Sequence, residues 1–60
     1  MKYRVDIFIN DEFFGVMHMS EYFNTLTECY MFVHGWQNAN SIFILENIID
    51  NKYDVIMQVR

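Results

Sequence analysis

Residues 24–40 read NTLTECYMFVHGWQNAN, and they hold the chain's only cysteine, its only tryptophan and one of its two histidines. Thr25 and Glu28 have the spacing of a capping box, in which a threonine side chain and a glutamate three residues later satisfy each other's free backbone N–H groups. The pattern therefore predicts a helix that begins at about Leu26. The helix should end near Gln37, where the apolar spacing gives way to polar residues.

Alternatives exist at both ends of this helix. A start at Ser20 would extend the same apolar spacing backwards, but Asn24 and Thr25 are both good N-caps, and residues 20–23 can continue a preceding strand. We therefore prefer the later start. At the other end, residues 38–41 form a polar stretch in which an asparagine can take the left-handed conformation that ends many helices.

One face of the predicted helix is apolar, because successive side chains are rotated by about 100°. The apolar stripe consists of Leu26, Cys29, Val33 and Trp36, with Tyr30 and Phe32 beside it. Cys29 and His34 point in directions about 140° apart on a helix, so they cannot act as a thiolate and its base. We interpret Cys29 and Trp36 as core residues, the cysteine with an unreactive thiol.

Strands are predicted on both sides of the helix, where polar and apolar residues alternate with a period of two. Residues 2–10 form the first strand, and a turn at residues 10–12 leads into a second strand in which Gly15 is expected to mark a bulge. After the helix, residues 41–46 and 53–60 form a second hairpin. The prediction is a single α+β domain over residues 1–60: a ββαββ unit whose four-stranded, mainly antiparallel sheet carries one helix on one face, with the strand order left open.

One helix can cover only one face of such a sheet. On the first and last predicted strands, the residues expected to face the helix are Tyr3, Val5, Ile7, Ile9, Val55, Met57 and Val59. Phe8 and Ile56 interrupt the polar rows of these strands, and strands two and three carry second apolar rows. An apolar patch is therefore predicted on the other face, with a polar rim of Lys2, Arg4, Asp6, Asp54, Gln58 and Arg60, and such a patch is typical of an interaction surface.

Composition narrows the possible functions. A 60-residue chain has a small core, and such domains are commonly assisted by disulfides, a metal or oligomerisation. Cys29 has no disulfide partner, and His18 and His34 lack metal-ligand spacing, so we expect no metal and no cofactor. Of these three aids to stability, oligomerisation is the one that the residues leave open.

Location and partners are also indicated by the composition. The lone cysteine favours a reducing cytoplasm, and the absence of a long apolar run argues against a membrane span. A net charge of −4 disfavours binding to nucleic acid.

Four residues are candidates for a partner or dimer interface: Phe8, Ile56, Met31 and His34. The last two lie with Thr27 on the outer face of the predicted helix. His18 has no carboxylate or nucleophile at a spacing that ensures contact, so we interpret it as an ordinary half-exposed histidine.

These observations favour a non-enzymatic, cytoplasmic protein-interaction module that forms a homodimer. The bias towards residues with A/T-rich codons is typical of tailed-phage genes and of low-GC bacterial genes. For a phage gene, the expected role is a regulator or inhibitor that docks on a larger protein in the host cytoplasm. The alternatives are a small RNA-binding domain, with bases stacked on exposed aromatic rings, and a non-catalytic subunit that completes an oligomeric enzyme site.

Overall fold

The computed structural model describes all 60 residues, Met1–Arg60, and confirms the predicted ββαββ order and small α+β fold. Its elements are β1 (Tyr3–Asp11), β2 (Gly15–Phe23), α1 (Leu26–His34), β3 (Ser41–Ile49) and β4 (Lys52–Gln58). The four strands form one sheet in the order β2-β1-β3-β4, and every neighbouring pair is antiparallel. β1 and β3 are therefore central, and β2 and β4 are the two edges.

The core lies between α1 and the central strands. Val5 and Ile7 on β1 and Ile42 and Ile44 on β3 are completely buried, and they pack with Cys29 of the helix. Burial of each large aliphatic side chain contributes about 1.5–3 kcal/mol, so this one layer supplies most of the hydrophobic stabilisation of the domain. Leu26, Phe32 and Trp36 close its margin as half-buried residues.

The helix begins where the capping box predicts. The Thr25 side chain accepts a hydrogen bond from the Glu28 backbone N–H at 3.2 Å and donates one to the Glu28 carboxylate at 3.0 Å. The predicted end near Gln37 is wrong, because the helix stops at His34 and Gly35 caps it. Glycine has a low helix propensity, and its N–H donates to Phe32 in a tightened last turn.

The segment after α1 does not contain a left-handed residue. No asparagine in residues 38–40 has a positive φ, so the prediction of an asparagine in the left-handed conformation there is wrong. At nine residues, α1 is also too short to cross a bilayer, and it is the only helix in the chain.

The first hairpin differs from its prediction at the turn. β1 runs on to Asp11, whose side-chain oxygen accepts hydrogen bonds from the backbone N–H groups of Phe13 (2.8 Å) and Phe14 (3.0 Å). This aspartate turn holds both phenylalanines outside the sheet, so they do not extend the apolar row of β2. Gly15 has φ +77° and closes the turn opposite Asp11. The bulge expected at Gly15 is absent, because β1 and β2 pair without a shift in register.

The second hairpin contains two register irregularities, whereas the first has none. Asp50 and Asn51 both have positive φ, which gives the two-residue turn that suits the twist of a hairpin. Further along, Ile44 pairs with Met57 but Leu45 pairs with Val55, so Ile56 is an extra, unpaired residue in β4.

Because of this bulge, the residues of β4 that precede Ile56 lie on the face opposite to the one that strict alternation from Met57 would give. Met57 lies on the helix side with Ile44, but Val55 lies with Leu45 on the opposite face, where Tyr53 pairs with Asn47. The prediction that Val55 faces the helix is therefore wrong. A pattern of alternating residues cannot reveal a bulge by itself, because the inserted residue preserves the alternation on either side of it.

Candidate binding surface on the open face of the sheet

The sheet face opposite α1 has no covering element, and we call it the open face. Strand pairing assigns its residues: Val16, His18, Ser20 and Tyr22 on β2, Arg4, Asp6 and Phe8 on β1, Phe43, Leu45 and Asn47 on β3, and Tyr53 and Val55 on β4. The face is a mixture of aromatic and aliphatic side chains around one polar cluster. It spans all four strands.

The polar cluster is centred on Asp6, the only charged residue that is buried in the chain. One oxygen of its carboxylate accepts a hydrogen bond from the Arg4 guanidinium at 3.0 Å, and the other accepts one from the Ser20 hydroxyl at 2.7 Å. His18 Nε2 lies 3.4 Å from the second oxygen, in an ion pair when the imidazole is protonated. A buried carboxylate is tolerated only when it is paired and hydrogen-bonded in this way.

The polar cluster does not have the geometry of a catalytic triad, although it contains Ser20, His18 and Asp6. In a triad, the carboxylate bonds to Nδ1 of the histidine and the serine bonds to Nε2. Here Ser20 Oγ (3.3 Å) and Asp6 Oδ1 (3.4 Å) both lie against Nε2, and the Ser20 hydroxyl donates to Asp6. The cluster therefore fixes side-chain positions and does not activate the serine.

Aromatic rings lie beside the polar cluster, near the start of β3 at Ser41. The Phe8 ring stacks on the His18 imidazole, with centroids 4.5 Å apart and planes within 5° of parallel. The edge of Phe43 meets Phe8 at a centroid distance of 6.0 Å. Phe8 and Phe43 are half-buried, so this part of the face is a packed aromatic surface.

A second aromatic group lies on the other side of Asp6. The Arg4 guanidinium stands 5.0 Å from the centre of the Tyr53 ring, and the edge of Tyr22 meets Tyr53 at 5.9 Å. Burial lowers the pKa of Arg4, but hydrogen bonding and charge interactions with Asp6, and to a smaller extent with Tyr22, together outweigh burial and hold the pKa above its ordinary value. Arg4 is thus a fixed cation. Leu45, between Arg4 and Val55 in the strand register, is only 6% exposed.

The predicted polar rim is therefore partly wrong. Arg4 and Asp6 lie in the middle of the open face and not at its margin, since they occupy the central strand β1. Arg60 lies at the helix layer, where its guanidinium donates to the backbone oxygens of Trp36 (3.1 Å), Gln37 and Ala39 (3.4 Å). These contacts bind the chain end to the segment that follows α1.

The four interface candidates from the sequence do not form one surface. Phe8 lies in the open face, and Ile56, at the bulge of edge strand β4, is 44% exposed. Met31, 72% exposed, and His34 lie on the helix layer on the opposite side of the sheet. His34 lines a groove between α1 and the end of the chain, with Tyr30, Val33, Gln37, Val59 and Arg60. A flat partner that contacts Phe8 would not reach Met31 or His34.

Sequence reasoning missed the association of His18 with Asp6. The signal was available in the turn: once Asp11 and Gly15 face each other, the register places Asp6 opposite Ser20 and Phe8 opposite His18. The spacing of residues along the sequence does not ensure this contact, because it depends on the pairing of two strands. The His18 side chain is 49% exposed, as expected.

Cys29 has the buried position that the helix pattern predicts. It is completely buried, and burial raises the pKa of its thiol, an effect that the nearby charge of Glu28 reinforces. No three histidine, cysteine, aspartate or glutamate side chains come together in a group that could hold a metal ion. No protein family, curated protein or solved structure matches this chain.

Proposed function

We propose that this protein is a small protein-binding module, a regulator or inhibitor that docks on a larger protein through the open face. The observation that carries the proposal is the chemistry of that face. It presents aromatic and aliphatic side chains on all four strands around one fixed polar cluster, without any layer above them. Such a mixture, with tyrosine and arginine anchors inside an apolar surface, is typical of protein interfaces.

The distribution of charge favours protein over RNA as the partner. Three of the four fixed cations have partners within the chain: Lys2 pairs with Glu46, Arg4 with Asp6, and Arg60 with backbone oxygens near the end of α1. An RNA-binding sheet needs cations free to contact phosphate beside its aromatic rings. Here the arginine beside Tyr53 is already neutralised by a buried carboxylate.

The test is capture of the partner from native cytoplasm by tagged variants, with mass spectrometry to identify and quantify what is bound. Phe8→Asp and Val55→Asp place a charge in the open face and should each abolish capture of the protein that the wild type retains. Ile56→Asp, at the margin, should weaken it. Met31→Asp changes an exposed apolar residue on the helix layer and should leave capture intact. Loss of capture with Met31→Asp alone would refute docking through the open face.

A further inference from the structure

The free edge of β2 has unusual properties for an exposed strand. It is nine residues long, is paired with β1 throughout without a bulge, and contains no proline, lysine or arginine. Proteins usually protect a sheet edge with such residues, with bulges or with a short strand. The other edge of this sheet follows that rule, since the pairing of β4 with β3 has two register irregularities and β4 carries Lys52 and Asp54.

The outward peptide groups of β2 can be identified from the hydrogen bonds of its neighbour. The carbonyls of Phe8 and Lys2 accept hydrogen bonds from the backbone N–H groups of Asn40 and Asn47. The N–H and C=O groups of the even-numbered residues of β1 therefore point towards β3, and those of the odd-numbered residues point towards β2. In an antiparallel pair, two residues directly opposite each other either both direct these groups at the neighbouring strand or both direct them away from it. The β2 residues opposite the even-numbered ones therefore point outward, and these are Val16, His18, Ser20 and Tyr22.

These outward groups match those of a second, antiparallel copy of β2. When the two-fold axis passes through Met19, Val16 lies opposite Tyr22 of the other copy and His18 lies opposite Ser20. Every outward N–H and C=O then has a partner, which gives about eight main-chain hydrogen bonds, two for each pair. The axis through Met19 is also the one register that overlaps all nine residues of β2.

Side chains are compatible with the same register. Glu21, the only acidic residue of β2, lies opposite Met17 of the other copy, so the two glutamates do not face each other. The exposed turn phenylalanines, Phe13 and Phe14 (88% and 80% exposed), continue past the end of the partner's β2, next to its Asn24 and Thr25. Exposed apolar side chains therefore lie near both ends of the proposed strand pair.

We propose that two copies of this protein pair through β2, antiparallel and centred on Met19, into one continuous sheet. The two four-stranded sheets join edge to edge with both helices on the same side. The two open faces then form one surface, so this dimer does not compete with the partner proposed for the open face and does not rest on that proposal.

Disulfide cross-linking tests the register directly. In a Cys29→Ala background, Met19→Cys places two thiols at the axis, in a pair without hydrogen bonds whose Cα atoms lie about 4.5 Å apart, within reach of a disulfide. Met17→Cys places them about 14 Å apart, which is too far. We expect air oxidation to convert Met19→Cys to a covalent dimer and to leave Met17→Cys monomeric on a non-reducing gel. Equal cross-linking of both, or of neither, would overturn the proposal.

Sedimentation equilibrium of a charge-reversal pair gives an independent answer that does not require Met19 to be altered. Met17→Glu brings like charges opposite each other twice per dimer, whereas Met17→Lys brings opposite charges together with Glu21 of the second copy. We expect the dissociation constants of these variants to differ by about tenfold, with Met17→Lys the tighter dimer. Met31→Glu and Met31→Lys carry the same changes of net charge away from the edge and should differ much less. Equal differences for both pairs, or a strictly monomeric wild type, would contradict pairing through β2.

Discussion

Replacement of Asp6 by alanine should destabilise the domain more than any other loss of a carboxylate. The change leaves the Arg4 guanidinium and the Ser20 hydroxyl without their acceptor, and hydrogen bonds to a charged group contribute about 1.5–3 kcal/mol each. Ser20 is exposed and the Arg4 side chain is 28% exposed, so water recovers about half of this. The expected loss in the free energy of unfolding is about 2 kcal/mol.

Urea unfolding followed by circular dichroism at one fixed protein concentration measures this loss. For a chain of this size, 2 kcal/mol corresponds to a fall in Tm of about 8–16 °C. Asp54→Ala, which removes an exposed carboxylate from edge strand β4, is the matched control and should cost less than about 0.5 kcal/mol. Asp6→Asn keeps an acceptor but not the charge, and should fall between them. Equal stability of Asp6→Ala and Asp54→Ala would refute the idea that the cluster supports the open face.

Three further predictions concern the helix and the charge balance. Cys29 should resist alkylation in the native protein and react in denaturant. Its folded-state pKa is raised above the ordinary 9.0, so as pH rises the unfolded chain loses the thiol proton first. The free energy of unfolding should therefore fall as pH rises above about 9, and it should fall less in Cys29→Ala. Thr25→Ala should cost about 1 kcal/mol in urea unfolding through loss of the N-cap, whereas Thr27→Ala, within the helix, should not be destabilising. Fluorescence anisotropy with random duplex DNA at physiological salt should show no binding at micromolar protein, and tight, salt-sensitive binding would contradict the charge argument.

Periodicity and local side-chain chemistry were sufficient to predict the element order and the start of the helix. Apart from Phe8, β1 alternates because one of its faces packs on the helix, and the capping box of Thr25 and Glu28 is a contact between near neighbours in sequence. The end of the helix was misplaced because apolar spacing continues through Trp36 while the backbone stops at Gly35. Packing of Trp36 against the core does not require it to be helical.

The open face was predicted less well, because its arrangement depends on contacts between strands. The bulge at Ile56 moves Val55 from the helix side to the open face without any change in the alternating pattern. Likewise, Asp6 reads as an ordinary polar residue of a strand, and only its position on a central strand opposite Ser20 makes it buried. Strand order and register are long-range properties, and both had to be known before the polar cluster could be recognised.

Hydroxyl-radical footprinting of the protein purified with its partner from native cells, compared with the protein alone at the same concentration, tests the binding surface most directly. We expect oxidation of Tyr22 and Tyr53 to fall severalfold in the complex, because both rings lie in the open face. Tyr30 and Met31, on the helix layer, should be oxidised at unchanged rates. Protection of Tyr30 and Met31 with Tyr22 and Tyr53 unchanged would contradict docking through the open face of the sheet.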